Sequence, residues 1–272
     1  VITPYSFGGV LLNTADYQTD SRGIFDGDKD IVLNDMLGDG QMFGRSKHKE
    51  KNIVLDITVT NYDLKKIVAL NAFKQGNTTK LLVVDTEAFG RLQIWAEVSS
   101  FAWSDSSALS ISVKLTAPDP CLYSNTATVV TLGAGTGNGI IFSKNGITFS
   151  TSGFLFGQKI NGGTTITNLG NVDAYPIFTI TGPCSEIVVE NKTTEETINI
   201  DAILGDSDTL VIDCSAGPNN TRGVYLNGNM ALSLKTNTGW VHCAPGDNII
   251  AFSRNSTILT ADCTVNLQSR WL

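Results

Sequence analysis

The chain has 272 residues, a formal net charge of −7, 42% hydrophobic residues and 17% charged ones. It is long for one domain and comfortable for two, with enough apolar material to build cores and to exclude wholesale disorder. The acidity argues against direct nucleic-acid recognition, which calls for a basic face that displaces counterions from phosphates.

The opening, VITPYSFGGVLLNTADYQ, lacks the basic segment and continuous apolar run of a signal peptide. No stretch approaches the roughly 20 apolar residues of a membrane span. The expectation is a soluble protein that is not exported by that route.

Next comes an acidic stretch, with Asp16, Asp20, Asp26, Asp28, Asp30, Asp35 and Asp39, followed by the basic run Arg45, Lys47, His48, Lys49 and Lys51. Opposite charges so close in sequence have two readings. They form a solvated hairpin, or the acidic loop of one subunit meets the basic run of the next and fixes their orientation. Asp26, Asp28 and Asp30 also have the spacing of a calcium loop, but Ile31 and Leu37 stand where such a loop needs glycine and glutamate. Calcium is disfavoured, and no metal ligand is assigned.

From residue 52 the dominant period is two. In NIVLDITVT the residues Ile53, Leu55, Ile57 and Val59 share one face. In LSISVKLT the residues Leu109, Ile111, Val113 and Leu115 alternate with polar ones. Between them, DLKKIVALNAFKQG places Leu64, Ile67, Val68, Leu70 and Phe73 at helical spacings, with Asp63 as N-cap and Gly76 as stop. Short strands continue through RLQIWAEVSS, PIFTITG, EIVVEN, ETINI, DTLVID, GVYLNG, ALSLK, NIIAFS and CTVNLQ, parted by Gly, Asn and Asp turns. The protein is therefore expected to be all-β with one short helix, near 63–75. The prolines of APDPCLYS end a long alternating strand and put a domain boundary near Ser124.

Catalytic signatures are missing. Cys121, Cys184, Cys214, Cys243 and Cys263 form no CxxC and read as reduced, buried and structural. His48 sits among lysines. His242 adjoins Cys243, but neighbours on a strand point to opposite faces, which suits an edge-strand histidine and a core cysteine better than a nucleophile and its base. No G-x-S-x-G elbow occurs, and GAGTGNG (133–139) completes neither a dinucleotide fingerprint nor a P-loop. None of the 26 acids stands out as a glycosidase pair. Trp95, Trp103, Trp240 and Trp271 are expected to anchor cores.

The ordered series TNLGNVDAYPIFTITGP, EIVVENKTT, TINIDAILGDSDTLVIDC, GVYLNGN and ALSLKTNTGWVHCAPGDNIIAF resembles the carboxy-terminal domain of the distal tail proteins of long-tailed (siphovirus) bacteriophages. The match runs from Thr165 to Phe252 and departs from the family pattern at GWVHCAPG. Its turns have physical readings: Asn168 and Gly170 reverse the chain, Pro176 opens a strand, Gly182-Pro183 reverses again, and Pro245 to Asn248 make a tight turn. More loosely, FDGD, DGQMFGRSKHKEKNIVLDITV and the APDPCLYS exit resemble the belt domain of the same proteins.

The resemblance implies a ring-forming belt-type β-sandwich or barrel at 1–124, then a galectin-like or carbohydrate-binding-module-like β-sandwich at 125–272. It also implies a non-enzymatic virion protein, assembled in the host cytoplasm and placed at the distal end of the tail. There a hexameric ring would join the tail tube to the tail tip or baseplate and its adsorption apparatus. The implied partners are copies of itself, the tail tube protein, a tail-tip protein, and receptor-binding proteins or host glycans. DNA would pass through an acidic lumen without specific binding, no membrane is involved and no cofactor is implied. Asp26, Asp28, Asp30, Arg45, Lys47 and Lys49 are the assembly residues suggested by charge layout. The alternative is a lectin-like module that holds a host-surface saccharide.

Overall fold

Strand formation follows the two-residue period along most of the chain. The computed structural model describes residues 2–35, 41–60, 73, 78–103, 110–132, 163–215, 222–255 and 262–272, with the side chains of 32–35, 41–46 and 255 outside the description. Two units emerge: Val1–Thr126 with Arg270–Leu272, and Ala127–Ser269.

The first unit runs β1 (Ile2–Phe7), β2 (Val10–Leu11), β3 (Tyr17–Arg22), β4 (Lys29–Asp35), β5 (Gln41–His48), β6 (Lys51–Val59), β7 (Lys80–Thr86), β8 (Gly90–Trp103), β9 (Ser110–Ala117) and β10 (Leu122–Ser124). The second holds β11 (Thr128–Leu132), β12 (Thr164–Asn168), β13 (Ile177–Thr181), β14 (Cys184–Asn191), β15 (Glu196–Leu204), β16 (Thr209–Asp213), β17 (Gly223–Leu226), β18 (Asn229–Met230), β19 (Gly246–Asn255) and β20 (Cys263–Leu267). A last strand, β21 (Arg270–Trp271), pairs with β10 and so belongs to the first unit.

In the first unit the order is β2-β1-β7-β8-β9-β6-β3, with β10 against β8. The alternation expected of β6 and β9 holds. Ile53, Leu55, Ile57, Val59, Ile111, Val113 and Leu115 are all buried, while Lys114 is exposed. The sheet curls until its ends meet. Asn13 Nδ2 donates to Pro4 O at the β1 end (2.8 Å) and to Thr19 O on β3 (3.4 Å), and Asn13 Oδ1 accepts from Thr19 N (3.0 Å). Gly23 makes the turn after β3 with φ +84, and a Cβ there would stand 2.3 Å from Asn52 O, so no other residue fits.

Of the expected helix near 63–75, only Phe73 lies within the described residues. It is fully buried and stacks on Phe7 with ring centroids 5.3 Å apart. The GAGTGNG segment and Leu109 also lie outside the described residues.

The second unit packs the sheet β11-β20-β13-β16-β17-β18 against the sheet β12-β19-β14-β15. Phe178, Ile180, Leu210, Ile212 and Val265 from one sheet meet Ile187, Val189, Ile198, Ile200, Ile250 and Phe252 from the other in one core, as in a β-sandwich. All strands named from sequence in this half are present except ALSLK, where the chain makes a single 3₁₀ turn, Leu232–Leu234. The tight turn at Asn227 and Gly228, with φ +49 and +80, returns the chain along β17 for only two residues. Lys235 then bridges to Ile200 on β15.

Two tryptophans depart from expectation. Trp95 is 44% exposed and Trp103 46% exposed, so neither anchors a core. Along β8 the buried positions are Leu92, Ile94, Ala96 and Val98, which puts Trp95 on the outer face. A bulge between Val98 and Ser100 then shifts the register, and Trp103 stands at the end of the strand, edge-on to Phe101. Trp240 is half-buried at its core's margin. Trp271 alone is fully within a core, at 4% exposure. Trp271→Ala is expected to destabilise the first unit by about 3–5 kcal/mol and to leave the second unit's transition in place, read as two steps in calorimetry.

Candidate assembly surfaces

The charged segment is a hairpin. β4 and β5 form a two-stranded sheet with Lys29 opposite His48, Asp30 opposite Lys47 and Val32 opposite Arg45. Its base is tied by Lys49 N donating to Asp28 O (2.9 Å) and by the Lys49 Nζ–Asp30 Oδ1 ion pair (2.8 Å). The hydrogen bond that Lys49 donates to Asp30, more than the charge of Asp30, holds the Lys49 proton more tightly than usual. Asp26, Asp28 and Lys47 are exposed, and the Arg45 side chain lies outside the description. The structure thus joins Asp30 to Lys49 within one chain and leaves Asp26, Asp28 and Lys47 facing solvent. Burial, aided by Lys29 and Lys51, pushes His48 below its ordinary pKa, which suits a neutral ring among cations. Among the described residues, no group of three His, Cys, Asp or Glu side chains is arranged to hold a metal ion.

Beside the hairpin base lies a feature that the sequence did not announce. Ile2, Phe25, Thr86, Glu87, Ala88 and Phe89 line a cleft of about 330 Å³. Its floor is aromatic, with the Phe89 ring centroid 6.0 Å from that of Phe25 and 5.8 Å from that of Trp271. Thr86 Oγ1 donates to Gly90 O (2.8 Å) and accepts from Phe89 N (3.1 Å), fixing the turn that carries Phe89. Phe89 remains 48% exposed and Ile2 40%.

Deeper in the same unit, Lys51 is buried and donates Nζ to Ile24 O (2.9 Å); burial drives its pKa down. Arg270 Nη2 donates to Cys121 Sγ (3.2 Å), and Tyr123 donates its hydroxyl to Asp119 Oδ2 (2.5 Å). Burial raises the Cys121 thiol to about 11, so a thiolate nucleophile at neutral pH is disfavoured.

In the second unit three asparagines that the sequence assigns to turns are almost wholly buried: Asn168, Asn191 and Asn248. They hold the segment around residues 242–246. Asn168 Nδ2 donates to Cys243 O (3.0 Å) and Val172 O (2.8 Å). Asn191 Nδ2 donates to His242 O (2.6 Å) and to Asn248 Oδ1 (3.1 Å). Asn248 Nδ2 donates to Ala244 O (2.7 Å) and Gly246 O (3.0 Å). This is how GWVHCAPG is fixed without a continuous ladder: the loop's carbonyls are met by buried amides.

His242 is therefore on a pinned loop and not on an edge strand. Its Nδ1 lies 2.7 Å from Glu196 Oε2. Cys243 is wholly buried, and burial pushes its thiol up to about 12. The two residues are separated as expected, and all five cysteines are free and buried. Over the Trp240 ring lie the Lys235 ammonium at 4.8 Å and the Arg222 guanidinium at 5.4 Å.

Residues 169–271 match the family model of the siphovirus-type tail component, C-terminal domain. The match spans the pinned loop and the second unit from residue 169 onward. The resemblance read from the sequence, to the distal tail proteins of long-tailed phages, is borne out. Among solved structures, the SPP1 Dit protein, described as a paradigm of hub adsorption apparatus in phages infecting Gram-positive bacteria, superposes with a TM-score of 0.67 at 12% identity. That alignment covers 100% of both chains. The fold of the whole chain is thus Dit-like. Two baseplate structures of phage P2 in its activated conformation, one with Ca and one with Sr, align at TM-score 0.42. They have 11% and 10% identity and cover 97% of this chain and 90% of theirs. No curated protein sequence matches the chain.

Asn191→Ala removes donors from His242 O and Asn248 Oδ1 at a buried site and is expected to cost the second unit about 1–3 kcal/mol in denaturant titration. Asp208 accepts from Gly205 N (2.7 Å) and Asn227 Nδ2 (2.9 Å), and these bonds, led by Asn227, hold its carboxyl below the usual range. Its contribution is present at neutral pH and lost as pH falls through that lowered value. Asp208→Ala is expected to lower second-unit stability at pH 7 and to flatten the loss of stability on acidification, measured by melting across pH 2–7.

Proposed function

We propose that the protein is a distal tail ring subunit. It sits at the end of the phage tail, where one face of the ring meets the tail tube and the other seats the tip or baseplate proteins. The single observation that carries this reading is the tail-component family match over residues 169–271. A full-length Dit-like fold accompanies it. The work of such a protein is geometric, with lateral contacts closing copies into a hexamer and leaving a passage for DNA. Nothing in the described site chemistry competes with that: the thiols of Cys121, Cys214 and Cys243 are held protonated by burial, and His242 is engaged by Glu196.

The lateral contact draws on the hairpin charges: exposed Asp26 and Asp28, with Asp30, on one copy, and Arg45, Lys47 and Lys49 on the next. Because Lys49 already pairs with Asp30 in its own chain, the intersubunit share falls mainly to Lys47 and Arg45. A saccharide-binding role for the second unit gains little from Trp240, since Arg222 and Lys235 already lie over its ring.

Replacing Arg45, Lys47 and Lys49 together by glutamate is expected to abolish annular particles in electron micrographs and to reduce the mass seen by light scattering to that of a monomer. Unchanged rings would reject the charge-matched contact, and a wild-type protein that stays monomeric at high concentration would reject the ring itself.

A further inference from the structure

The two-residue loop between β17 and β18 is Asn227-Gly228, with Leu226 opposite Asn229 across it. Both loop residues are exposed and both have positive φ, a turn that asparagine followed by glycine strongly prefers. The same pair is chemically among the least stable in a polypeptide. Glycine has no side chain to shield its backbone nitrogen, so that nitrogen reaches the carboxamide carbon of the asparagine before it. At Gly228 the space is open: no heavy atom stands within 4 Å of where a Cβ would lie.

What restrains the reaction is the direction of the Asn227 amide. It is turned back toward the start of β16, where its Oδ1 accepts from Thr209 N (2.9 Å) and its Nδ2 donates to Asp208 Oδ1 (2.9 Å). Asp208 is itself fixed, since its other carboxylate oxygen accepts from Gly205 N (2.7 Å). The bond from Asn227 is the first reason that the Asp208 carboxyl titrates below its usual range, so at neutral pH the acceptor is a carboxylate and the clamp is charge-assisted. Attack requires both Asn227 bonds to open, so that Cγ swings toward Gly228 N.

We propose that Asn227 is a site of slow, irreversible self-modification by deamidation, and that Asp208 sets its rate by holding the carboxamide away from Gly228. The Gly228 N–H gives its proton to solvent base as its nitrogen bonds to Asn227 Cγ. The Cγ–Nδ2 bond then breaks, and the nitrogen leaves as ammonia with a proton returned by solvent. Water opens the resulting five-membered succinimide at one of its two carbonyls, leaving aspartate or isoaspartate. One water is consumed and one ammonia released, with no oxidation or reduction.

Either product loosens the turn. Aspartate places a second carboxylate where Asp208 had a donor, and the two repel. Isoaspartate routes the main chain through an extra methylene, which a two-residue loop in register between Leu226 and Asn229 does not absorb. The device runs one way and ages the short hairpin that ends in exposed Met230.

The test uses the full chain, held at mildly alkaline pH and then digested. Mass spectrometry follows the conversion of amide to acid at each asparagine, and enzymatic methylation counts isoaspartate. Native wild type, native Asp208→Ala protein and wild type unfolded in guanidinium chloride are compared. Asn138, Asn145 and Asn161, which also precede glycine and lie outside the described residues, serve as internal references. The native chain is expected to convert slowly at Asn227 and the unfolded chain fastest. Asp208→Ala is expected to raise the native rate by roughly tenfold or more, the equivalent of one hydrogen bond to a charged group. Because Asp208→Ala also loosens the second unit, the product mimic Asn227→Asp gives an independent reading. Its melting temperature is expected to fall below that of wild type at pH 7 and to recover toward about pH 4, where one carboxyl of the facing pair takes a proton and donates it to the other. Native protein that never converts at Asn227 while the unfolded chain converts fully would overturn the proposal. So would a native rate unchanged by Asp208→Ala, or an Asn227→Asp deficit that does not vary with pH.

Discussion

Everything in the first unit depends on closing one sheet on itself. A curled sheet has two ends whose backbone groups face each other without the regular spacing of a ladder, and each buried group left unmet costs free energy on the order of a lost hydrogen bond. Asn13 resolves this with one side chain, giving to Pro4 and Thr19 and receiving from Thr19. With β1 held against β3, the inner faces of β6, β7, β8 and β9 enclose Phe7, Leu55, Ile94 and Val113 in a common core. The turn that carries Phe89 is fixed locally by Thr86, at the end of one of these strands.

The second unit meets the same requirement by another route. Where strands cannot run continuously, around residues 242–246, buried asparagine amides take the place of a neighbouring strand. Two distant turns reach it through Asn168 and Asn191, while Asn248, four residues on from Ala244, closes the loop on itself.

Much of this was legible in the residues. Period-two runs such as NIVLDITVT and EIVVEN announced their strands, because a half-buried strand must alternate. The buried, reduced cysteines and the tail-protein resemblance also followed from sequence. What failed has identifiable causes. Trp95 falls on the outer face because Leu92, Ile94 and Ala96 claim the inner one, and a β-bulge near Ser99, invisible to periodicity, sends Trp103 to the rim. ALSLK alternates like a strand, but the short return at Asn227 and Gly228 leaves it without a ladder to join. The Phe25–Phe89 cleft depends on residues 64 positions apart meeting at a turn, and no local pattern encodes that. The pairing of Asp30 with Lys49, by contrast, was implicit in a hairpin whose two strands carry opposite signs.

The brief strand at Arg270 and Trp271 has a larger meaning than its length suggests. Since β21 lies on β10, and Thr128 is opposite Leu267 in the β11–β20 pair, the second sandwich begins and ends at neighbouring points and is spliced into the first unit as a cassette. Such an arrangement lets the inserted unit vary in size while the host sheet keeps the two strands that flank the insertion.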